Sequence, residues 1–380
     1  MRIGVLTTGY PHRGDPVAGA FVGAMARALV RRGHAVTVVC AARPGDVPRD
    51  DPGVRVVAAA GLSRGVFYGA GAPEALGLGE AGGVSRLGPW ARGIDATLAL
   101  GWTARQALAE CEALVSHFVL PSGLLGALIR RGRPHVLVVH GTDGALLAWA
   151  PRAVRAAVLG GATRVWCSHG GLREALGLRP GDCHVGPMGF DPAPPASTPR
   201  EPGRVISLGR LIPVKRPALG LEGVLAARGL GVPLQMTVLG DGPLRGRLEA
   251  LAAGAPPGVV TLTGAVDSAE RDRWLARAEL LVHTAGRSGW RTEGAPVSLL
   301  EAMHAGVAVV ATESGGVSEV LGDAGVVLPQ DADAAAVGEA LTRLHRDGAG
   351  RAALVSRAQE RVTGWTWDRQ AERVEGWLRG

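Results

Sequence analysis

Short apolar runs alternate with amphipathic stretches along the 380 residues, a pattern that predicts an α/β chain built on parallel sheets. Residues 3–6, 35–40 and 54–58 read as buried strands, and residues 21–32 read as a helix stopped by Gly33. Residues 114–116, 136–139 and 164–167 are further strands with helices between them. The glycine-rich stretch 61–93 shows little periodicity, and an insertion of that length inside an α/β unit often marks a functional segment. The pattern stops at 191–203, where Pro192, Pro194, Pro195, Pro199 and Pro202 make a stiff linker. It then restarts with strands at 205–208, 234–239, 259–263, 280–283 and 308–311. Helices begin at Pro217 and cover 244–253, 269–278 and 297–304.

The expected organisation is a first domain over 1–190, a linker over 191–203, and a second domain over 204–362. A final segment, 363–380, opens at Trp365-Thr366-Trp367 and is helical to Leu378. Open α/β sheets bind ligands at the carboxyl ends of their strands. Two such domains facing across a cleft would make one deep, closable site.

Composition adds a bias rather than a class. Hydrophobic residues are 47% of the chain, enough for two cores, and aromatics are only 4%. Residues 1–190 carry 20 Arg against 12 Asp plus Glu, a balance of +8, and residues 191–380 carry 21 cations against 22 acids, a balance of −1. A positive first half favours anionic partners such as phosphates or acidic lipid headgroups, although solubility and coding bias explain it equally well. Nucleic acid is not an expected partner. Only one of the 41 basic residues is a lysine, Lys215. Cys40, Cys111, Cys167 and Cys183 form no Cys-x-x-Cys pair, which argues against zinc and redox motifs and fits a reducing cytoplasm. The first ten residues read as a buried strand rather than a signal peptide. No apolar stretch approaches the ~20 residues of a membrane span.

Four segments of the second half carry candidate chemistry. Ser207-Leu208-Gly209-Arg210 leads from a strand into a loop ending at Lys215, and a guanidinium with an ammonium at a sheet mouth suits a diphosphate. Leu239-Gly240-Asp241-Gly242-Pro243 is a strand-to-helix turn whose glycines read as structural. Glu293-Gly294-Ala295-Pro296-Val297-Ser298-Leu299-Leu300-Glu301 is the strongest. Pro296 is placed as a first helical residue, which would aim the amides of Val297, Ser298 and Leu299 at an anion. Glu293 and Glu301 would hold hydroxyls at different ends of one ligand. Thr312-Glu313-Ser314-Gly315-Gly316-Val317 is a second candidate anion cradle.

Together these segments resemble the retaining glycosyltransferases of family 4, which have the GT-B fold of two Rossmann-like parallel-sheet domains. The Glu-x7-Glu pattern with its flanks carries most of the resemblance. It implies that Glu293 contacts the transferred sugar, that Glu301 contacts the nucleotide ribose, and that Arg210 and Lys215 neutralise the diphosphate. Gly294, Ala295, Pro296, Val297, Ser298 and Leu299 join the donor-binding set. Many relatives carry an aromatic residue at the position of Ala295, so a differently shaped sugar pocket is expected.

The first half is similar too. Gly9-Tyr10-Pro11 through Gly19-Ala20-Phe21-Val22 matches the family's opening loop, where Gly19 would let backbone approach the donor phosphates. Ser116-His117-Phe118 and Val139-His140-Gly141-Thr142-Asp143 match loops after strands. His117 is the candidate that faces the sugar, and Tyr68, His140 and Asp143 are candidates for the acceptor side. His12, His169 and His283 carry no assignment. The resemblance further implies independence from metal and no cofactor, the nucleotide-diphosphate sugar being a substrate. The C-terminal helix would pack back on the first domain, its aromatics anchoring the domains to each other.

The implied reaction is transfer of a sugar from a nucleotide-diphosphate sugar to an acceptor, with retention. The acceptor is expected to be a glycolipid, a polysaccharide precursor or a small molecule. Epimerisation of a nucleotide sugar and non-catalytic binding of one are the alternatives. A cytoplasmic protein is expected. Peripheral contact with anionic membrane at the inner face would involve Arg130, Arg131 and Arg133.

Overall fold

The computed structural model describes residues 1–12, 19–42, 48–60, 87–193, 199–287 and 293–380. It comprises two compact units, one of residues 1–189 with 367–380 and one of residues 190–366. In the first unit the order is β1 (Arg2–Thr7), α1 (Ala20–Arg31), β2 (Ala35–Ala42), β3 (Val54–Ala60), α2 (Leu87–Ala107) and β4 (Ala113–His117). It continues through α3 (Leu124–Ile129), β5 (His135–Val139), α4 (Gly141–Trp149), α5 (Arg152–Gly160), β6 (Arg164–Cys167), α6 (Gly170–Ala175) and β7 (Cys183–Val185). The seven strands pair in parallel in the order β3-β2-β1-β4-β5-β6-β7. Every residue of β4 and β5 is buried, as befits strands covered on both faces, which read as apolar runs rather than alternations.

The second unit repeats the plan. It holds β8 (Arg204–Leu208), α7 (Pro217–Gly229), β9 (Gln235–Leu239), α8 (Arg245–Ala253), β10 (Val260–Gly264), α9 (Ser268–Arg277) and β11 (Leu280–His283). Then come α10 (Val297–His304), β12 (Ala308–Thr312), α11 (Val317–Leu321), β13 (Val326–Leu328), α12 (Ala334–Arg346) and α13 (Gly348–Val362). Its six parallel strands run β10-β9-β8-β11-β12-β13. Asp267, Asp333 and Asp347 cap α9, α12 and α13 by accepting backbone amides three residues on, satisfying donors that a helix start leaves unpaired.

The last helix, α14 (Trp367–Arg379), belongs to the first unit. Its apolar face buries Trp367, Ala371, Val374 and Leu378, and its polar edge pairs Asp368 with Arg31 at 2.6 Å and Glu375 with Arg32 at 2.6 Å. Trp367 lies so close to Gly189 that a Cβ there would meet its ring at 2.5 Å. Trp365 stays in the second unit, with the Arg361 guanidinium 5.4 Å from its ring centre. The two aromatics thus serve different units.

Three features differ from the periodicity reading. Helix α2 starts at Leu87, inside the stretch 61–93 that shows no period. The edge strands β7 and β13 are three residues each, too short for a period to register. Helix α10 begins at Val297 with Pro296 as its cap, so the proline lies one position earlier than expected.

In both sheets the chain reverses its direction of winding once, between β1 and β4 and between β8 and β11. The carboxyl ends flanking such a reversal form a natural ligand crevice.

Candidate functional site

In the second unit that edge is built from the ends of β8, β9, β11 and β12. Past β8 the loop turns through Gly209 and Arg210 to Lys215. It interlocks with the turn after β9: Leu211 donates its amide to Asp241 at 2.9 Å and Leu244 donates to Leu211 at 3.0 Å. Gly240 and Gly242 lie at φ 146° and 155°, and a Cβ on Gly242 would meet the Leu211 carbonyl at 2.6 Å. These glycines are therefore structural. They let the two loops touch.

Lys215 reaches Glu293, with Nζ 2.5 Å from Oε2, and a Cβ on Gly209 would be 3.9 Å from Nζ. His283, at the end of β11, places Nε2 3.8 Å from the same carboxylate oxygen. Burial opposes the charged form of Glu293, but Lys215, His283 and the Gly294 amide outweigh it and hold the carboxyl below its usual range. His283 is pushed down to about 3 by burial and by Lys215, so its ring is neutral. Arg210 is exposed.

The loop bearing Glu293 is fixed from β12. Gly316 donates its amide to Gly294 at 2.9 Å. Gly315 has φ 57° and lies against the Glu293 carbonyl, where a Cβ would have no room. At the tip of α10, Leu299 donates its amide to Pro296 at 3.1 Å. The expected three-amide cradle thus reduces to the amides of Val297 and Ser298. The Ser298 hydroxyl is buried and has no partner among the described residues. Ala295 packs against the core beneath.

Glu301 lies a turn into α10 and accepts a 2.6 Å bond from Arg271 of α9. Burial raises its carboxyl to about 7, against Arg271 and with help from Asp272 and Asp191. It lines a cavity of about 660 Å³ with Phe190, Asp191, Arg271, Asp272 and His304 among its walls. No contact links it to Glu293 among the described residues.

Two residues here escaped the sequence reading. Arg216 sits at φ 41° and donates to the carbonyls of Thr284 at 2.8 Å and Ala285 at 3.2 Å and to the Thr312 hydroxyl at 3.0 Å. It ties the ends of β11 and β12 to the loop that carries Lys215. Arg271 fixes Glu301. Both are ordinary-looking arginines in a chain rich in them, and nothing local distinguishes them.

In the first unit His117 ends β4 and is fully buried. Its Nδ1 is 3.2 Å from Nε2 of His140, a half-buried residue. Phe21 and Phe118 pack on His140 at centroid distances of 4.8 and 4.7 Å. Phe118 holds φ 69°, a conformation that is costly for a bulky residue and is met mostly at functional sites. Burial drives the His117 imidazole well down, with His140 adding to the effect, and takes His140 to about 3. Both rings are neutral, and one donates to the other. Asp143 is buried and accepts the Val119 amide at 2.8 Å. Burial lifts its carboxyl to about 7 in spite of that bond.

Gly19 precedes α1 at φ 61°, and a Cβ there would collide with the Gly9 backbone, so two backbone segments meet where a side chain could not fit. Tyr68 lies outside the described residues. No group of three or more His, Cys, Asp or Glu suited to a metal occurs among the described residues.

Two family models match the chain. One, described as glycosyl transferase 4-like domain, covers residues 18–189, and the other, glycosyl transferases group 1, covers residues 202–347. The phosphatidyl-myo-inositol mannosyltransferase of Mycolicibacterium smegmatis is 34% identical over 175 residues, 44% of this chain and 43% of that protein. The chain spans under half the length of the curated relatives it matches. Among solved structures, sucrose-phosphate synthase from Thermosynechococcus elongatus superposes with a TM-score of 0.73 at 19% identity, covering 100% of this chain and 98% of that one. HepE of Anabaena, solved in complex with UDP, gives 0.68 at 17% identity over the whole of both chains.

Proposed function

Because the chain belongs to the glycosyltransferases of the GT-B fold, we propose that it transfers a sugar, with retention of configuration, from a nucleotide-diphosphate sugar bound by its second unit. The Lys215–Glu293 pair at the strand-order reversal carries this reading. The pair is an anion-binding cation held in reserve by a carboxylate. An arriving diphosphate takes over the ammonium and frees Glu293 for the hydroxyls of the sugar. Arg210, exposed on the same loop, and the Val297 and Ser298 amides add positive potential at the same edge. Glu301 receives the ribose. That HepE binds UDP supports a nucleoside diphosphate as the leaving group.

In the proposed reaction the bond between the anomeric carbon and the donor phosphate breaks while the acceptor oxygen bonds to that carbon from the same face. The acceptor proton passes to the departing phosphate. Lys215, Arg210 and the helix tip stabilise the charge that develops there, the term that usually dominates such catalysis. No metal takes part. The candidates of the first unit keep the roles that the resemblance implies: Gly19 for the donor phosphates, His117 for the transferred sugar, and His140 and Asp143 for the acceptor side. The acceptor is a glycolipid, a polysaccharide precursor or a small molecule, and a lipid-linked one would be met by a cytoplasmic protein at an anionic membrane face.

A transfer assay with chelator present throughout tests this reading. Lys215→Ala should lower turnover roughly 100-fold or more and abolish the rise in melting temperature that nucleoside diphosphates give the native protein. Turnover near that of the parent protein would overturn the clamp. Conversion of nucleotide sugar without any acceptor would point to epimerisation, and donor binding without transfer to a non-catalytic role.

A further inference from the structure

Helix α2 has two apolar faces. One holds Ala96, Leu100 and Ala104, all buried, the last two in a core with Leu6, Val39 and, just past the helix end, Leu108. On the opposite side Ile94, Leu98 and Trp102 are 61%, 68% and 66% exposed. At 3.6 residues per turn these three and the exposed Arg105 fall within an arc of about 80°. The arc contains no acidic residue; Asp95 lies just beyond its edge. A surface helix of a water-soluble domain normally turns one apolar stripe inward and a polar one outward. Here the outward stripe is apolar with a cation in it, and no described residue covers it.

Helix α3 extends this surface. Leu125 packs against α2 at Gly101, and Leu128, three residues on, is 70% exposed. Arg131 follows, also exposed. Arg133 is not part of the surface. It donates to the carbonyls of Leu108, Cys111, Ile129 and Arg130 and so joins the ends of α2 and α3. Arg130 likewise donates to Gly161.

We propose that this face of α2, with Leu128 and Arg131 beside it, docks on an anionic lipid surface. The inference rests on the membrane contact proposed above and assigns it a place. Four large apolar side chains are far fewer than the residues of a stable protein interface, which buries about 800 Å² on each partner. A short apolar stripe bearing a tryptophan, with Arg105 within it and Arg131 beside it, instead suits shallow insertion beneath acidic headgroups. The excess of arginine over acids in residues 1–190 draws the same unit toward that surface.

Co-sedimentation with vesicles of phosphatidylglycerol and phosphatidylcholine, against phosphatidylcholine alone, tests the proposal. The parent protein should bind the anionic vesicles, less so as salt rises. Leu98→Gln with Trp102→Gln should weaken that binding roughly tenfold, and Arg105→Gln with Arg131→Gln should weaken it at low salt only. These side chains are exposed, so melting temperature and the response to nucleoside diphosphates should not change, which separates this test from that of donor binding. Vesicle binding equal to the parent's in the Leu98/Trp102 variant would remove α2 while leaving a membrane contact elsewhere. Failure of the parent protein to bind anionic vesicles would remove both. A concentration-dependent dimer that the same substitutions dissolve would assign the face to a second copy and overturn the lipid.

Discussion

At the scale of single residues, identity sets the chemistry but neighbours set the charge state. Asp143 is an ordinary carboxylic acid in the sequence. Buried, it takes up a proton at about pH 7. Its folded value lies above the ~3.9 of an unfolded aspartate, so its contribution to stability is present at low pH and is lost as pH rises through 7. Asp143→Asn should therefore stabilise the protein at pH 8, where the parent must bury a charge, and change little at pH 5. Melting curves at the two values decide it, and equal effects at both would show that the carboxyl is not the group responsible. Glu293 runs the opposite way. It is half-buried, and Lys215 keeps it ionised against the effect of that burial. The glutamate and the lysine were legible from the sequence, but their direct pairing was not. They are 78 residues apart, and only the sheet brings β8 beside β11.

At the scale of elements, the strand-end loops behave as a set of mutually supporting turns. Gly315 is the sharpest case. Its left-handed backbone and the Glu293 carbonyl packed on its Cα both exclude a side chain. Gly315→Ala should cost about 1–2 kcal/mol for the backbone conformation alone and displace the loop carrying Glu293. Turnover should then fall much further than stability. Parallel, modest losses in both would mean that the loop adjusts without moving the carboxylate. The glycine itself was readable as a turn residue. That it lies under residue 293 was not, because local pattern carries no information about which loops from different strands touch. The same limit hid Arg216, which clamps Thr284, Ala285 and Thr312 from a position next to Lys215.

At the scale of the whole molecule, six buried or half-buried histidines dominate the response to acid. His117, His135, His140, His169, His184 and His283 all have their imidazoles pushed down, in each case chiefly by burial, the last five to about 3–4. Below an unfolded value of ~6.5 the unfolded chain binds protons that the folded one refuses, so stability falls with falling pH from about 6.5 to 4. Asp143 and Glu301, both raised to about 7, work in the opposite direction between about pH 4 and 7. Six groups outweigh two, and the melting temperature should rise steeply from pH 4 to 6 and then level or decline slightly above 7. A flat profile from pH 4 to 6 would mean that the histidines are solvated. This balance could not be read from ten histidines in a list. It depends on which of them the packing encloses.

The sequence by itself determined the parallel α/β architecture of both units and the positions of Lys215, Glu293, Glu301 and the turn glycines. Apolar runs, proline clusters and glycine turns act within a few residues of themselves, so their meaning survives in one dimension. Tertiary structure decided which groups share a field. It joined Lys215 to Glu293, set Arg271 against Glu301 and His117 against His140, and left a stripe of α2 uncovered. Those outcomes follow from strand order and side-chain burial, which depend on contacts between residues far apart in the chain.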